Sequence, residues 1–176
     1  MATKTTYKAT NADGSLVLLN KLIVLKRNTG SYSIPFQVLP TVSENKGANY
    51  TDQTVLGRAS PIKVYTGSAP RSFEISIDYY IITNKDSGNM VKLLRNISAS
   101  VYPKYDKKYG PPDTWHFTMG IIDVDMICKT YSVTYNTDCW WDADVMLPSH
   151  ITIGTSWEVV YAQNDLPGQS DIISGK

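Results

Sequence analysis

Val55–Ile82 reads VLGRASPIKVYTGSAPRSFEISIDYYII, and its second half decides the fold. From Ser72 to Ile82, Phe73, Ile75, Ile77, Tyr79 and Ile81 fall on one face, while Glu74, Ser76 and Asp78 fall on the other. A period of two is that of a half-buried antiparallel strand. Ile62–Tyr65 is a second strand-like run. Thr66-Gly67-Ser68-Ala69-Pro70 between the two supplies a bend that neither strand would tolerate internally. The stretch therefore predicts a hairpin, and nothing in it is catalytic.

Upstream, Ser15–Arg27 (SLVLLNKLIVLKR) is the most apolar stretch of the chain. Its β-branched content and the Asn28-Thr29-Gly30 turn predict a strand leading into a hairpin. A helix is the alternative, because Leu16, Leu19, Ile23 and Lys26 also share helical spacing. Tyr32–Val42 then resumes as strand, with Pro35 and Pro40 marking an edge or a bulge, since proline donates nothing to a ladder. Glu44–Gln53 (ENKGANYTDQ) reads as a polar loop.

Downstream, Met90–Val101 is the one convincing helix: Met90, Leu93, Leu94, Ile97 and Val101 share a face, Asp86 or Ser87 can cap it, and Pro103 ends it. Tyr102–Pro112 (YPKYDKKYGPP) is an aromatic and basic loop. Trp115–Met119, Val124–Tyr135 and Ile151–Tyr161 read as strands, the last with Ile151, Ile153, Thr155, Trp157, Val159 and Tyr161 on one face. Asn136–Pro148 connects two of them and carries Trp140-Trp141 among acidic residues. The expected fold class is mainly β: antiparallel strands packed by a single helix. A single domain would span residues 15–162, between a flexible N-terminal arm (1–14) and a C-terminal arm (163–176). Both arms are polar, as segments ordered only on a partner are.

The length of 176 residues fits one domain. With 17 basic against 16 acidic residues, no broad field for nucleic acid or anionic membrane is expected. The opening residues are polar, unlike a signal peptide, and no apolar run approaches the roughly 20 residues of a membrane span. Twelve tyrosines and four tryptophans are many for the length, and aromatic residues favour both strands and the centres of protein–protein interfaces.

Chemistry is hard to find. His116 and His150 have no Cys or His beside them at metal-ligand spacing, so no metal is expected. Cys128 and Cys139 fit no metal spacing either and read as two free thiols; a bridge between them is the alternative. Cys128 with either histidine would make a nucleophile–base pair, but its apolar strand context favours a buried structural thiol. Asp123, Asp125, Asp138, Asp142 and Asp144 cluster in sequence near Trp140 and Trp141, as the carboxylates of a glycosidase would, or as the rim of a solvated turn. Tyr102, Tyr105 and Tyr109 interleave with Lys104, Lys107 and Lys108, a pattern of single-strand nucleic-acid binders and of interface loops. Nucleotide and hydrolase motifs are absent from the sequence, and no cofactor is expected.

Several short segments in a fixed order resemble a known family. They are Leu39-Pro40, Leu56-Gly57-Arg58-x-x-Pro61, Tyr65-x-Gly67 and Arg71 before the alternating strand, then Val101-Tyr102-Pro103-x-Tyr105, Gly110-Pro111-Pro112, Gly120 and Leu147-Pro148. Over about residues 39–161 the chain is similar to the tube-initiator and hub-adaptor proteins in the baseplates of contractile-tailed bacteriophages. The resemblance implies a tail-tube-like β-sandwich or barrel. It also implies a non-enzymatic virion protein that forms a hexameric ring. That ring would join the hub and spike to the tail tube, initiate tube polymerisation and leave a channel for genomic DNA in transit. Its partners would be copies of itself, the tube protein, and the hub, spike and wedge proteins, with assembly in the host cytoplasm. Candidate interface residues are Arg58, Arg71, Tyr102, Tyr105, Tyr109, Trp140 and Trp141. Arg58 and Arg71 are either intersubunit groups or arginines paired within their own chain. A carbohydrate- or peptidoglycan-binding β module using Trp140 and Trp141 is the alternative function.

Overall fold

The two alternating stretches of the sequence pair with each other. In the computed structural model, which describes residues 8–10, 16–18, 22–57, 59–82, 84–106, 108–143, 146–161 and 173, the strands in chain order begin with β1 (Lys8–Thr10), β2 (Leu16–Leu18), β3 (Ile23–Arg27), β4 (Thr41–Asn45), β5 (Ala48–Gln53), β6 (Ile62–Ser68) and β7 (Ser72–Tyr80). Helix α1 (Asn84–Ala99) follows, and then β8 (Lys104–Asp106), β9 (Lys108–Gly110), β10 (Trp115–Met119), β11 (Ile122–Tyr135), β12 (Trp141–Asp142), β13 (Leu147–Pro148) and β14 (His150–Val159). A six-stranded sheet runs β3-β10-β11-β14-β7-β4, and every neighbouring pair is antiparallel. The architecture is thus mainly antiparallel β with one helix of regular length among the described residues.

One face of the sheet builds the core. Phe73, Ile75, Ile77 and Tyr79 of β7 and Ile151, Ile153, Trp157 and Val159 of β14 are all buried. Each such side chain taken from water contributes roughly 1.5–3 kcal/mol. Trp115 and Phe117 of β10 and Ile23 and Leu25 of β3 extend the layer, and α1 adds Met90, Leu93 and Ile97 at helical spacing. On β11 the apolar face changes parity: Met126 and Cys128 lie opposite Val159 and Trp157, whereas Tyr131 and Val133 lie opposite Thr155 and Ile153. A bulge between Cys128 and Thr130 makes the switch, and without that extra residue Tyr131 and Val133 would face away from the core.

The structure departs from the sequence expectations in several places; the apolar stretch Ser15–Arg27, expected as one strand, holds two, β2 and β3. Val55–Ile82 is no hairpin: β6 pairs with β5, and β7 pairs with β14 and β4. The bend at Ala69-Pro70 leads the chain out of one ladder and into another. Glu44–Gln53 is no loop but the end of β4 and all of β5, whose pairing is made by backbone groups and so is insensitive to polar side chains. Tyr32–Val42 is strand only at Thr41 and Val42, the start of β4. It makes one isolated bridge, Lys26 with Ser33, before β4 begins at Thr41, because Pro35 and Pro40 interrupt the donors a ladder needs. The helix starts at Asn84, so Asp86 and Ser87 sit inside its first turn instead of capping it, where the Asp86 carboxylate favours the helix dipole.

Smaller ladders occupy other stretches: β8 pairs with β9 inside the expected Tyr102–Pro112 loop, β12 with β13 inside Asn136–Pro148, and β1 with β2. The last joins three residues of the expected N-terminal arm to Leu16–Leu18. The remainder of that arm, and the C-terminal arm apart from Ile173, lie outside the described residues. Between Thr41 and the bridge at Ser33, the side chain of Gln37 does the work of a strand: its amide donates to Tyr80 O (3.0 Å) and its carbonyl accepts from Tyr80 N (2.8 Å).

Burial pushes the phenols of Tyr79 and Tyr32 up to about 12, against a nearby Arg27 in the case of Tyr32. The unfolded chain releases each phenolic proton near pH 10. Stability held by these neutral phenols is therefore complete below about pH 10 and is lost as pH rises through about 12. Urea midpoints are expected to fall over that interval, and Tyr79→Phe should flatten the fall; a profile unchanged by Tyr79→Phe would contradict the assignment.

Candidate functional site

The β5–β6 hairpin stands clear of the sheet. Every residue of β5 is exposed, as is every residue of β6 except Gly67. Strands whose side chains alternate between two solvent faces usually carry polar groups on both, yet Tyr50, Ile62, Val64 and Tyr65 are exposed here, with Val55 and a fully exposed Leu56 in the connection. The hairpin is held by its ladder, by Tyr50 and Tyr65 edge to face at 5.6 Å, and by an Asp52–Lys63 ion pair. Ala69 N donates to Gly47 O (2.8 Å) at its root. Arg58 belongs to the connection and lies outside the described residues.

Arg71 stands at the same root and is committed within the chain. Its Nε donates to Glu44 Oε1 (2.6 Å) and its guanidinium lies 5.0 Å from the centre of the Phe73 ring. The hydrogen bond to Glu44 raises its pKa above the usual arginine value. The pair is partly solvated, so Arg71→Ala is expected to lower the unfolding free energy by about 1 kcal/mol or less, and by less still in high salt. A urea series at two ionic strengths checks this.

Trp140 and Trp141 lie at the other end of the strands, in the turn joining β11 to β14. Both are about half exposed. The turn is fixed from below: Ser149 N donates to Trp140 O (2.8 Å), Trp141 pairs with Pro148, and Ser87 Oγ donates to Asp142 Oδ2 (2.6 Å). At its foot the Asn136 amide donates to His150 Nδ1 (2.7 Å), which leaves Nε2–H to donate to Asp78 Oδ1 (3.2 Å), and the His150 ring stacks on Tyr80 at 4.3 Å. Met146, exposed, is the one non-glycine residue at positive φ among the described residues (φ 54).

Tyr102 and Tyr105 are exposed beyond the C-terminal end of α1, and Tyr109 sits opposite Tyr105 in the β8–β9 ladder. Tyr102 also borders a shallow groove of about 580 Å³ between α1 and β11, floored by Leu94, Tyr131 and Val133. The 16 residues of α1 span about 24 Å. The helix thus separates these tyrosines from Trp140 and Trp141, and the candidates among the described residues do not form one site.

The aspartates are likewise divided. Asp123 and Asp125 flank His116 on the exposed sheet face, with Oδ1 atoms 2.9 Å from Nε2 and 3.0 Å from Nδ1. Asp138 and Asp142 lie in the tryptophan turn past the far end of β11, about 33 Å of extended chain from Asp125 to Tyr135. Asp144 lies outside the described residues. Cys128 is buried, and burial pushes its thiol up; His116 is on the opposite face of the sheet. Both cysteines are free thiols. Among the described residues no three His, Cys, Asp or Glu side chains are placed to hold a metal ion, and no helix is long and apolar enough to cross a membrane. The feature sequence reasoning missed is the hairpin, and its signal was Tyr50 and Tyr65 beside an Ile-Lys-Val run.

No protein-family model matches the sequence, and no curated protein matches it. Among solved structures, the chain is similar to one in the tail of an empty gene transfer agent particle, described with C6 symmetry: 14% identity over 83% of this chain and 96% of that one, TM-score 0.43. It is also similar to a chain in the virion of a native gene transfer agent particle: 12% identity over 82% of this chain and 100% of that one, TM-score 0.40.

Proposed function

We propose that this chain is a structural, non-enzymatic component of a phage-type tail. Six copies form a baseplate ring that joins the central hub and spike to the tail tube and initiates its polymerisation, with genomic DNA passing through. The observation that carries the reading is the projecting β5–β6 hairpin. A two-stranded ribbon exposed on both faces is marginal alone and gains its stability from a partner surface. The resemblance of the Gly57-Arg58-x-x-Pro61 and Tyr102-Pro103-x-Tyr105 segments to tube initiators and hub adaptors supplies the identity of the assembly. In this reading residues 15–162 are the ring domain, the terminal arms order on neighbours, and Arg58, Tyr102, Tyr105, Tyr109, Trp140 and Trp141 lie at contacts, with Arg71 bracing the hairpin root. Native mass spectrometry of the purified full chain tests it. A closed oligomer found also in tail fractions is expected, and a protein that stays monomeric at every concentration and is missing from tails overturns it.

The half-exposed tryptophans favour a second reading, a carbohydrate-binding module. Polysaccharide binding lost in Trp141→Ala would establish it, and no binding by the wild type would dismiss it.

A further inference from the structure

We propose that the β5–β6 hairpin of one copy of this chain docks on the Trp140–Trp141 turn of a second copy. The proposal rests on the ring reading above and names the contact that would close such a ring. The hairpin leaves the sheet where Asn45 faces Ser72; the turn leaves it where His150 faces Tyr80. These are opposite ends of the nine-residue strand β7, about 30 Å apart. One copy therefore cannot fold its own hairpin onto its own turn without leaving the sheet, while a neighbour displaced along the strands meets it directly.

The two surfaces match in chemistry. One face of the hairpin presents Tyr50 and Tyr65, with Leu56 in the connection beyond them, and the turn presents Trp140, Trp141 and Met146. Aromatic residues and methionine are the groups enriched at the centres of interfaces, and a thioether adapts its shape to a facing ring. Charge matches as well: among the described residues, 46–68 carry Lys46 and Lys63 against Asp52, whereas 136–149 carry Asp138 and Asp142 and no base. Met146 adds an independent sign. A side chain held in the left-handed region costs about 1–3 kcal/mol, and such strain concentrates where a segment serves a partner. Because each copy carries one of each surface, the contact is heterologous. It propagates head to tail and ends only when the rotation per copy closes a circle.

The test uses two full-length variants that each spoil one surface, Tyr50→Ser/Leu56→Ser and Trp140→Ala/Trp141→Ala, with Met146→Glu as an independent variant of the turn. The near-ultraviolet signal of the buried Trp115 and Trp157 reports that each is folded. Each variant alone is expected to associate at least about tenfold more weakly than wild type. A mixture of one hairpin variant with one turn variant should form a pair of about twice the 19.6 kDa chain mass, since one intact contact remains between them. Folded variants that keep the wild-type mass, or a mixture that stays monomeric, overturn the contact while leaving the ring in place. A wild type that is itself monomeric overturns the ring reading and the contact together.

Discussion

Trp157→Ala is expected to lower the unfolding free energy by about 3–5 kcal/mol, a large part of the 5–15 kcal/mol typical of a whole domain. Trp157 is fully buried, edge to face with Trp115 at 5.6 Å. Its Nε1–H donates to Thr155 Oγ1 (2.7 Å), which in turn donates to Ile75 O on the next strand (2.9 Å). Alanine opens a cavity between two strands and removes the donor from a buried hydroxyl. The phenylalanine variants separate these terms. Trp157→Phe breaks the chain of hydrogen bonds, whereas Trp115→Phe removes a buried Nε1–H that has no partner among the described residues. Urea unfolding should therefore show Trp157→Phe as the more damaging of the two; the reverse order would show that the bonded chain contributes little.

Excising Ala48–Ser68 and joining Gly47 to Ala69 through an Asn-Gly link is expected to abolish self-association while leaving the fold intact. The six-stranded sheet uses neither β5 nor β6, and the backbone groups of Gly47 and Ala69 are already hydrogen-bonded across the root. Asn-Gly suits the tight turn that would replace the hairpin. The loss of stability should stay under about 1 kcal/mol, as for surface changes away from a core. Mass by light scattering and a urea midpoint on the same sample decide the matter. An excised chain that still assembles removes the hairpin from the contact, and one that fails to fold shows the hairpin to be structural.

What could be read from the sequence followed burial. β7 and β14 were legible because each has one face in the core, so period two is written directly into Phe73–Ile81 and Ile151–Val159. The helix was legible through Met90, Leu93 and Ile97, but its start was not: Asn84–Gly88 carry turn-forming residues, and helical geometry there is imposed by docking. β5 could not be read at all. With both faces in water, no alternation is selected at Ala48–Gln53, and its polar residues resemble a loop. The same reason hid the partner of β6. The aspartates misled differently: they are close along the chain, but a long strand carries its ends apart, so the carboxylates beside Trp140 and those beside His116 never met.

Gln37 bears on how such a molecule survives before it assembles. Beyond Ser76 the outer margin of β7 has no backbone neighbour in register among the described residues, and an unclaimed margin of that kind invites any passing extended chain. The amide of Gln37 occupies both hydrogen-bonding positions of Tyr80 with a side chain that ends there and offers nothing onward. The sheet is thereby stoppered at that corner: nascent copies crowded together have no template for indiscriminate zippering, and recognition is left to surfaces with a shape of their own.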